Sequence, residues 1–100
     1  LTALSRALAR EAIVDNVTIN NLLPERFDTP RQEFMAQQLM ATAGIDRASA
    51  RQRIADSLPA RRFGRPEEFG AACAFLCSAN SGFMTGQNLL LDGGSYWGLI

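Results

Sequence analysis

The sequence contains no histidine and no lysine, and its only tyrosine is Tyr96. Histidine is the side chain most often used to move protons in catalysis. A nearby cation such as lysine is what lowers the pKa of a tyrosine. Because neither is present, Tyr96 is not interpreted as a catalytic residue.

Cysteine is also scarce. Cys73 and Cys77 are the only two, and they are four positions apart in a helical pattern. This spacing is neither a Cys-x-x-Cys redox motif nor a zinc pattern, and there is no histidine to complete a metal site. We expect no bound metal and two buried free thiols, since free cysteine is among the most buried residue types. Free thiols suit a reducing compartment, so the predicted location is cytoplasmic.

Long apolar runs and an excess of basic charge are absent as well. No run approaches the ~20 residues of a membrane-spanning helix. Ten arginines balance ten acidic residues, whereas proteins that bind nucleic acid present a net basic face to the phosphates. We therefore expect neither a membrane nor a nucleic acid as a partner.

What is present is an alternation of helical and strand patterns. The chain has no initiating methionine and enters a helical pattern at Leu1, so we expect an upstream segment in the parent protein. The predicted elements, in order, are a helix over 1–13, a strand over 17–23 ended by Pro24, a helix over 31–42, a helix from Asp46 or Ser49 to about Ser57, a helix from Pro66 to about Asn80, and a strand over 88–91.

Helices between strands imply parallel strands joined by crossovers, hence an α/β protein. The run Leu89-Leu90-Leu91 has the apolar character of a strand buried on both faces. Two strands are too few to be stable alone. The chain is therefore predicted to be a piece of a larger α/β sheet.

The loop over 24–30 follows the first predicted strand. In open parallel sheets, ligands bind beyond the carboxyl ends of the strands, which makes this loop a candidate site. The next segment, 31–57, has few apolar residues, as expected of a mobile lid. We call residues 31–57 the lid segment. An ordinary strand-to-helix loop is the alternative, and spacing alone leaves both open.

Several short motifs follow one another at a consistent spacing. They are Asn20-Asn21-Leu22-Leu23-Pro24-Glu25-Arg26-Phe27-Asp28-Thr29, then Phe63-Gly64-Arg65-Pro66-Glu67-Glu68, then Phe83-Met84-Thr85-Gly86-Gln87, and last Asp92-Gly93-Gly94. Each is weak alone. The ordered set resembles the C-terminal part of a short-chain dehydrogenase/reductase of the 3-oxoacyl-carrier-protein-reductase type.

That resemblance implies the C-terminal portion of a Rossmann-type, doubly wound parallel sheet: its last two strands, flanking helices and lid. Residues 1–100 would be one part of a single dinucleotide-binding domain. The parent would transfer hydride between NAD or NADP and an alcohol/carbonyl substrate. The family's catalytic Tyr-x-x-x-Lys would lie just upstream of Leu1, so this chain alone is expected to be inactive.

The resemblance also implies cofactor-binding positions: Pro24, Glu25, Phe27 and Thr29, near the nicotinamide end. Glu25 departs from the family pattern, which has glycine there. Glycine marks a close backbone approach or a positive φ, and glutamate adds a charge that Arg26 or Arg31 could neutralise. We expect Glu25 to turn toward solvent or the substrate entrance and cofactor binding to survive.

Partners follow from the same resemblance. A homo-oligomer, dimer or tetramer, is expected through the last helix, the last strand and the aromatic tail over 95–100, since clustered aromatic residues favour interfaces. Arg61-Arg62 is either a solvated pair or a site for an anionic substrate group. The alternative for the whole chain is a non-catalytic oligomerisation remnant of the same fold. An upstream Tyr-x-x-x-Lys and glycine-rich loop would decide between the two.

Overall fold

The computed structural model describes residues 1–98, which form two compact units. Unit one comprises Leu1–Leu23 and Glu67–Leu91, and unit two comprises Pro24–Pro66 with the described residues after Leu91. The last two residues of the predicted tail, 99 and 100, lie outside the described residues. In chain order the helices and strands are α1 (Thr2–Ala12), β1 (Asn21–Pro24), α2 (Pro30–Ala43), α3 (Arg47–Asp56), α4 (Pro66–Leu76) and β2 (Asn88–Leu91).

Unit one contains a small parallel sheet in which β1 pairs with β2. The Asn21 side chain donates to Asn88 Oδ1 at 2.9 Å across the two strands. Helix α1 reaches this sheet through small residues: Ser5 and Ala9 are buried, and the Ser5 hydroxyl donates to Asn21 Oδ1 at 3.2 Å. The prediction of parallel strands in an α/β architecture is confirmed.

The first strand begins four residues later than predicted, at Asn21 rather than Val17. Over residues 17–20, hydrogen bonds that involve side chains replace part of the backbone pairing of a strand. Ile19 N donates to Thr85 Oγ1 at 3.0 Å, and the Asn20 side chain donates to Met84 O at 3.0 Å. The apolar alternation suggested a strand, but here the partner segment is the Thr-Gly loop before β2 rather than β2 itself. Pro24 is the last residue of β1, as its missing N–H requires.

Helix α4 begins at Pro66, with Glu67 and Glu68 in its first turn as predicted. It ends at Leu76, and none of its residues is buried. Cys73 and Cys77 are free but exposed, so the prediction of buried thiols is wrong for this structure. Their apolar face has the pattern of a packed helix, but here Cys73 and Cys77 border a cavity of about 330 Å³ together with Thr18, Asn20 and Leu22.

Unit two contains the helix pair α2 and α3, which makes up most of the lid segment. Gly44, at φ 66°, ends α2 in the left-handed conformation that glycine tolerates. Asp46 caps α3 by accepting the Ser49 N–H at 2.7 Å, so Asp46 and not Ser49 is the N-cap, and the helix begins at Arg47. Ala36 and Ala50 are fully buried, and Ala55 and Leu58 are also buried in this unit. Across residues 1–98, no helix is long and apolar enough to cross a membrane.

Candidate functional site

Two of the sequence motifs contact each other in unit two. Phe27 and Gly64 form a parallel β-bridge, in which Asp28 N donates to Gly64 O at 2.8 Å and Gly64 N donates to Arg26 O at 3.0 Å. A Cβ at position 64 would lie 2.9 Å from the Phe27 ring. The glycine of the Phe-Gly-Arg-Pro motif therefore allows the backbone to approach the loop and fix its shape.

The loop after β1 borders a cavity of about 490 Å³, which we call the loop cavity. It is lined by Pro24, Glu25, Arg26, Phe27, Thr29, Arg31 and Gln32. All four sequence-predicted cofactor positions are thus brought together in one place. The volume lies within the range of small-molecule sites. Pro24 and Phe27 are the apolar lining residues, and the others are polar or charged.

Glu25 is conformationally unstrained where the family pattern has glycine. The left-handed backbone of this loop falls on Arg26, at φ 58°, and not on Glu25. The Glu25 side chain is 51% exposed, and its Oε1 lies 3.9 Å from Arg26 Nε. This is a long, solvated ion pair of the kind that contributes little to stability. This exposure is compatible with the expected turn of Glu25 toward solvent or the substrate entrance, and the survival of cofactor binding stays a prediction.

Thr29 is the N-cap of α2, yet its side chain makes no capping bond. Its backbone carbonyl instead accepts from Gln32 N at 2.9 Å and from Glu33 N at 3.3 Å. Because the hydroxyl is not used for the cap, it is available to a bound molecule. The N-terminus of α2 also places the positive end of a helix dipole beside the loop cavity.

Gln32 is the cavity residue that sequence reasoning missed. It is only 5% exposed, and its Oε1 is a buried acceptor with no hydrogen-bond partner among the described residues. A signal was present in the spacing: Gln32 lies three residues after Thr29, one turn along the same helix. The sequence pattern did not predict that the polar side chain of Gln32 would be buried.

A cluster of charged side chains joins the lid helices to the loop. Arg47 binds Glu33 through two hydrogen bonds of 2.7 Å. Arg51 Nη2 lies 2.9 Å from Asp28 Oδ2 and its Nη1 lies 3.3 Å from Glu33 Oε2. The Arg51 guanidinium also lies over the Phe63 ring, 4.9 Å from its centroid. We call these residues the lid cluster, and Arg51 is the one that touches α2, the loop and the Phe-Gly motif together.

The lid cluster shifts the pKa of two of its members. The hydrogen bond to Glu33 raises the pKa of Arg47 above its ordinary value. The hydrogen bond from Arg47, followed by one from the Gln37 amide, lowers the pKa of Glu33 from 4.5 to about 2. Hydrogen bonds that favour the charged form are the physical cause, and the positive charges of Arg47 and Arg51 act in the same direction. Glu33 therefore remains an anion at any ordinary pH.

The other candidates are surface residues. Arg61 and Arg62 are both exposed, and Arg62 donates to Phe63 O at 3.1 Å. Tyr96 is 55% exposed, and its backbone N–H donates to Asp92 Oδ2 at 3.0 Å. Asp92 thus closes the Asp-Gly-Gly turn, and no described cation or base adjoins the Tyr96 ring.

A family model described as enoyl-(acyl carrier protein) reductase matches residues 1–96. The chain belongs to the short-chain dehydrogenase/reductase family. This confirms the resemblance carried by the ordered motifs.

Members of the family with similar sequences include the NADPH-dependent reductase BacG of Bacillus subtilis, 33% identical over 91 residues. The acetoacetyl-CoA reductase of Cupriavidus necator is 32% identical over 98 residues. Each alignment covers more than nine-tenths of this chain, 91% and 98%, but 35% of the relative. The short-chain dehydrogenase/reductase chain described here therefore spans about a third of the length of these curated relatives.

Solved structures agree with this assignment. The L-sorbose reductase of Gluconobacter frateurii, crystallised with NADPH and L-sorbose, superposes with a TM-score of 0.88 at 34% identity. The match covers 99% of this chain and 38% of the reductase. The Rossmann-type fold predicted from the motifs is confirmed by this neighbour.

Proposed function

We propose that this chain forms part of an NAD(P)-dependent oxidoreductase that transfers hydride between a nicotinamide cofactor and an alcohol/carbonyl substrate. The observation that carries the proposal is the loop cavity, which gathers Pro24, Glu25, Phe27 and Thr29 at the carboxyl end of β1. That position is where dinucleotide-binding sheets place their ligands. Family membership and the NADPH named for BacG and the sorbose reductase support the cofactor.

The residues of the loop cavity fit the nicotinamide end of such a cofactor. Pro24 and Phe27 supply apolar surface for a flat ring, and Thr29 supplies a hydroxyl that is not used in capping. The bound cofactor would supply the hydride, while these side chains would hold the ring and exclude water.

The names of the relatives also indicate a substrate class. Both acetoacetyl-CoA reductase and L-sorbose reductase are named for carbonyl compounds. A ketone reduced to an alcohol is therefore the reaction direction we propose. Catalytic proton transfer would come from residues outside this chain, which has no lysine or histidine and only the exposed Tyr96.

The lid segment is proposed to close over the loop cavity. Its two helices are joined to each other by partly exposed ion pairs of Arg47 and Arg51 with Glu33, and Arg51 also pairs with Asp28 of the loop. Such pairs are weak in water and can break and re-form. This suits a segment that has to open for substrate entry and product release.

Assembly is proposed to use the exposed apolar residues. Phe75 and Phe83 are exposed in unit one, and Trp97 is exposed in unit two. Large exposed aromatic side chains mark interaction surfaces. A dimer or tetramer through the last helix, the last strand and the tail over 95–100 would bury them, in a protein we place in the cytoplasm.

Cofactor binding by the full-length protein tests the proposal. Titration with NADPH and NADH, followed by cofactor fluorescence, is expected to give saturable binding. Thr29→Val removes the hydroxyl and is expected to weaken binding about tenfold, the effect of one hydrogen bond. Thr42→Val, whose hydroxyl bonds only carbonyls of its own helix, is the matched control and should bind as the wild type does. Absence of binding to either nucleotide would favour the oligomerisation remnant instead.

A further inference from the structure

Arg51 on α3 lies at a point where three segments of unit two meet. Its Nη2 lies 2.9 Å from Asp28 Oδ2 in the loop, and its Nη1 lies 3.3 Å from Glu33 Oε2 on α2. Its guanidinium carbon lies 4.9 Å from the centroid of the Phe63 ring. The Arg51 side chain is 21% exposed, whereas that of Arg47, which shares Glu33, is 57% exposed. The ion pairs of Arg51 are therefore less screened by water than those of Arg47.

The contacts of Arg51 close a ring around the loop over 24–30. Asp28 N donates to Gly64 O at 2.8 Å, and Gly64 is the residue after Phe63. The two segments joined by that backbone bond are joined a second time, because the Asp28 carboxylate and the Phe63 ring contact the same guanidinium. Polar networks of this kind are worth more than the sum of their separate pairs, because each contact fixes the partners of the next.

We propose that Arg51 is a positioning residue, which holds the loop over 24–30 in its observed shape from the lid segment. Arg51 is not one of the residues that line the loop cavity, so its effect on a bound molecule passes through Asp28 and Phe63. When α3 moves away as the lid opens, the guanidinium leaves both partners and the loop loosens. Opening of the lid and release of the cofactor are thereby coupled. The inference rests on the proposed function, since it takes the loop cavity to receive the nicotinamide.

Arginine suits this position in a way that lysine does not. The planar guanidinium presents N–H groups in its plane to two carboxylates and, at the same time, a flat face to an aromatic ring. A lysine ammonium is a compact point charge without such a face. Arg51→Lys therefore keeps the positive charge but breaks the ring of contacts. Arg53→Lys, at an exposed position of the same helix, is the matched control.

The test uses the full-length protein as the wild type, the control, Arg51→Lys, Asp28→Asn and the variant with both changes. Amide hydrogen exchange at position 28 and at Gly64 reports the order of the loop. Exchange at Gly86, whose N–H is hydrogen-bonded in unit one, reports the stability of the remainder. The dissociation constant for NADPH is measured by cofactor fluorescence. Asp28→Asn breaks the same ring from the loop side, and it serves if Arg51→Lys folds poorly.

In Arg51→Lys without cofactor, we expect exchange at Asp28 and Gly64 to be about tenfold faster than in the wild type, the effect of one lost hydrogen bond. Exchange at Gly86 should be unchanged. The dissociation constant for NADPH should rise about fivefold, because it varies inversely with the fraction of molecules in which the loop is ordered. Saturating NADPH should restore slow exchange, since the cofactor selects the ordered loop. Arg53→Lys should behave as the wild type in both measurements.

The double variant tests whether Arg51 and Asp28 act as a unit. We expect it to bind NADPH no more weakly than Arg51→Lys does, because both substitutions break the same ring. A change in the dissociation constant equal to the product of the two single effects would show independent action and overturn the inference.

Three further results would overturn it. Unchanged exchange at Asp28 and Gly64 in Arg51→Lys does so without any cofactor and leaves the proposed function standing. Exchange that is faster at Gly86 to the same extent would show a general loss of stability instead of a local loss of position. Failure of the wild type to bind NADPH overturns the proposed function and, with it, this inference.

Discussion

At the scale of single residues, Glu25 shows how a departure from a family motif is accommodated. Glycine in that motif suggests a backbone that other residues adopt poorly. In this loop the left-handed position is Arg26, at φ 58°, and Glu25 carries its charge toward solvent. The glutamate therefore costs little in backbone energy, and its electrostatic effect is screened by water.

Replacing Glu25 by glycine in the full-length protein tests this account. We expect the dissociation constant for NADPH to change by about twofold or less, since substitutions at exposed, unstrained positions have effects of a few tenths of a kcal/mol. Glu25→Gln is the control that removes the charge but keeps the side chain. A gain in affinity of more than ~2 kcal/mol in Glu25→Gly, well above that surface range, would show that the glutamate obstructs the cofactor.

At the scale of elements, an ion pair between Arg51 and Asp28 joins the lid helices to the loop. Glu33 on α2 is bonded by Arg47 and Arg51 on α3, and Arg51 continues to Asp28 in the loop. The sequence predicted helices in this segment, and its few apolar residues indicated a mobile lid with little packed interior. The structure shows two helices with buried alanines. Short apolar side chains and ion pairs therefore stabilise this segment, where larger apolar side chains would be usual.

The lowered pKa of Glu33 makes the stability of this segment dependent on pH. The folded-state pKa is about 2 and the ordinary value is 4.5, so folding favours the anion. The contribution is complete above about pH 4.5 and is lost as the pH falls through about 2. In thermal unfolding of the full-length protein, Glu33→Gln should lose less stability than the wild type across this window. Glu11→Gln, at an exposed position in α1, should follow the wild type, and parallel curves for Glu33→Gln and the wild type would contradict the assignment.

At the scale of the whole molecule, the interior is small for the number of residues. The buried apolar residues among those described are Ala9, Ala36, Ala50, Ala55 and Leu58. Unit one contributes only Ala9 to this set. A two-stranded sheet with so little buried apolar surface does not offset the entropy of ordering the chain.

We therefore expect the isolated 100-residue chain to lack a cooperative thermal transition at micromolar concentration and to lack reductase activity. The full-length protein, in which further strands and helices would cover the sheet and α4, is the control and should unfold cooperatively. Circular dichroism during heating measures both. A sharp transition in the isolated chain would show that the two units are stable by themselves.

The cofactor-binding role of the four loop positions stays a prediction. The sequence by itself determined the family, the α/β class, the parallel strands and the start of α4 at Pro66. These follow from local chemistry, since proline, capping residues and glycine act on their immediate neighbours. The exposure of Cys73, the true start of β1 and the orphaned Gln32 Oε1 were decided only by the tertiary structure. Burial and the pairing of hydrogen-bond donors with acceptors depend on residues far apart in the chain, as in the contact of Phe27 with Gly64. A local sequence pattern does not show which distant residues will lie nearby.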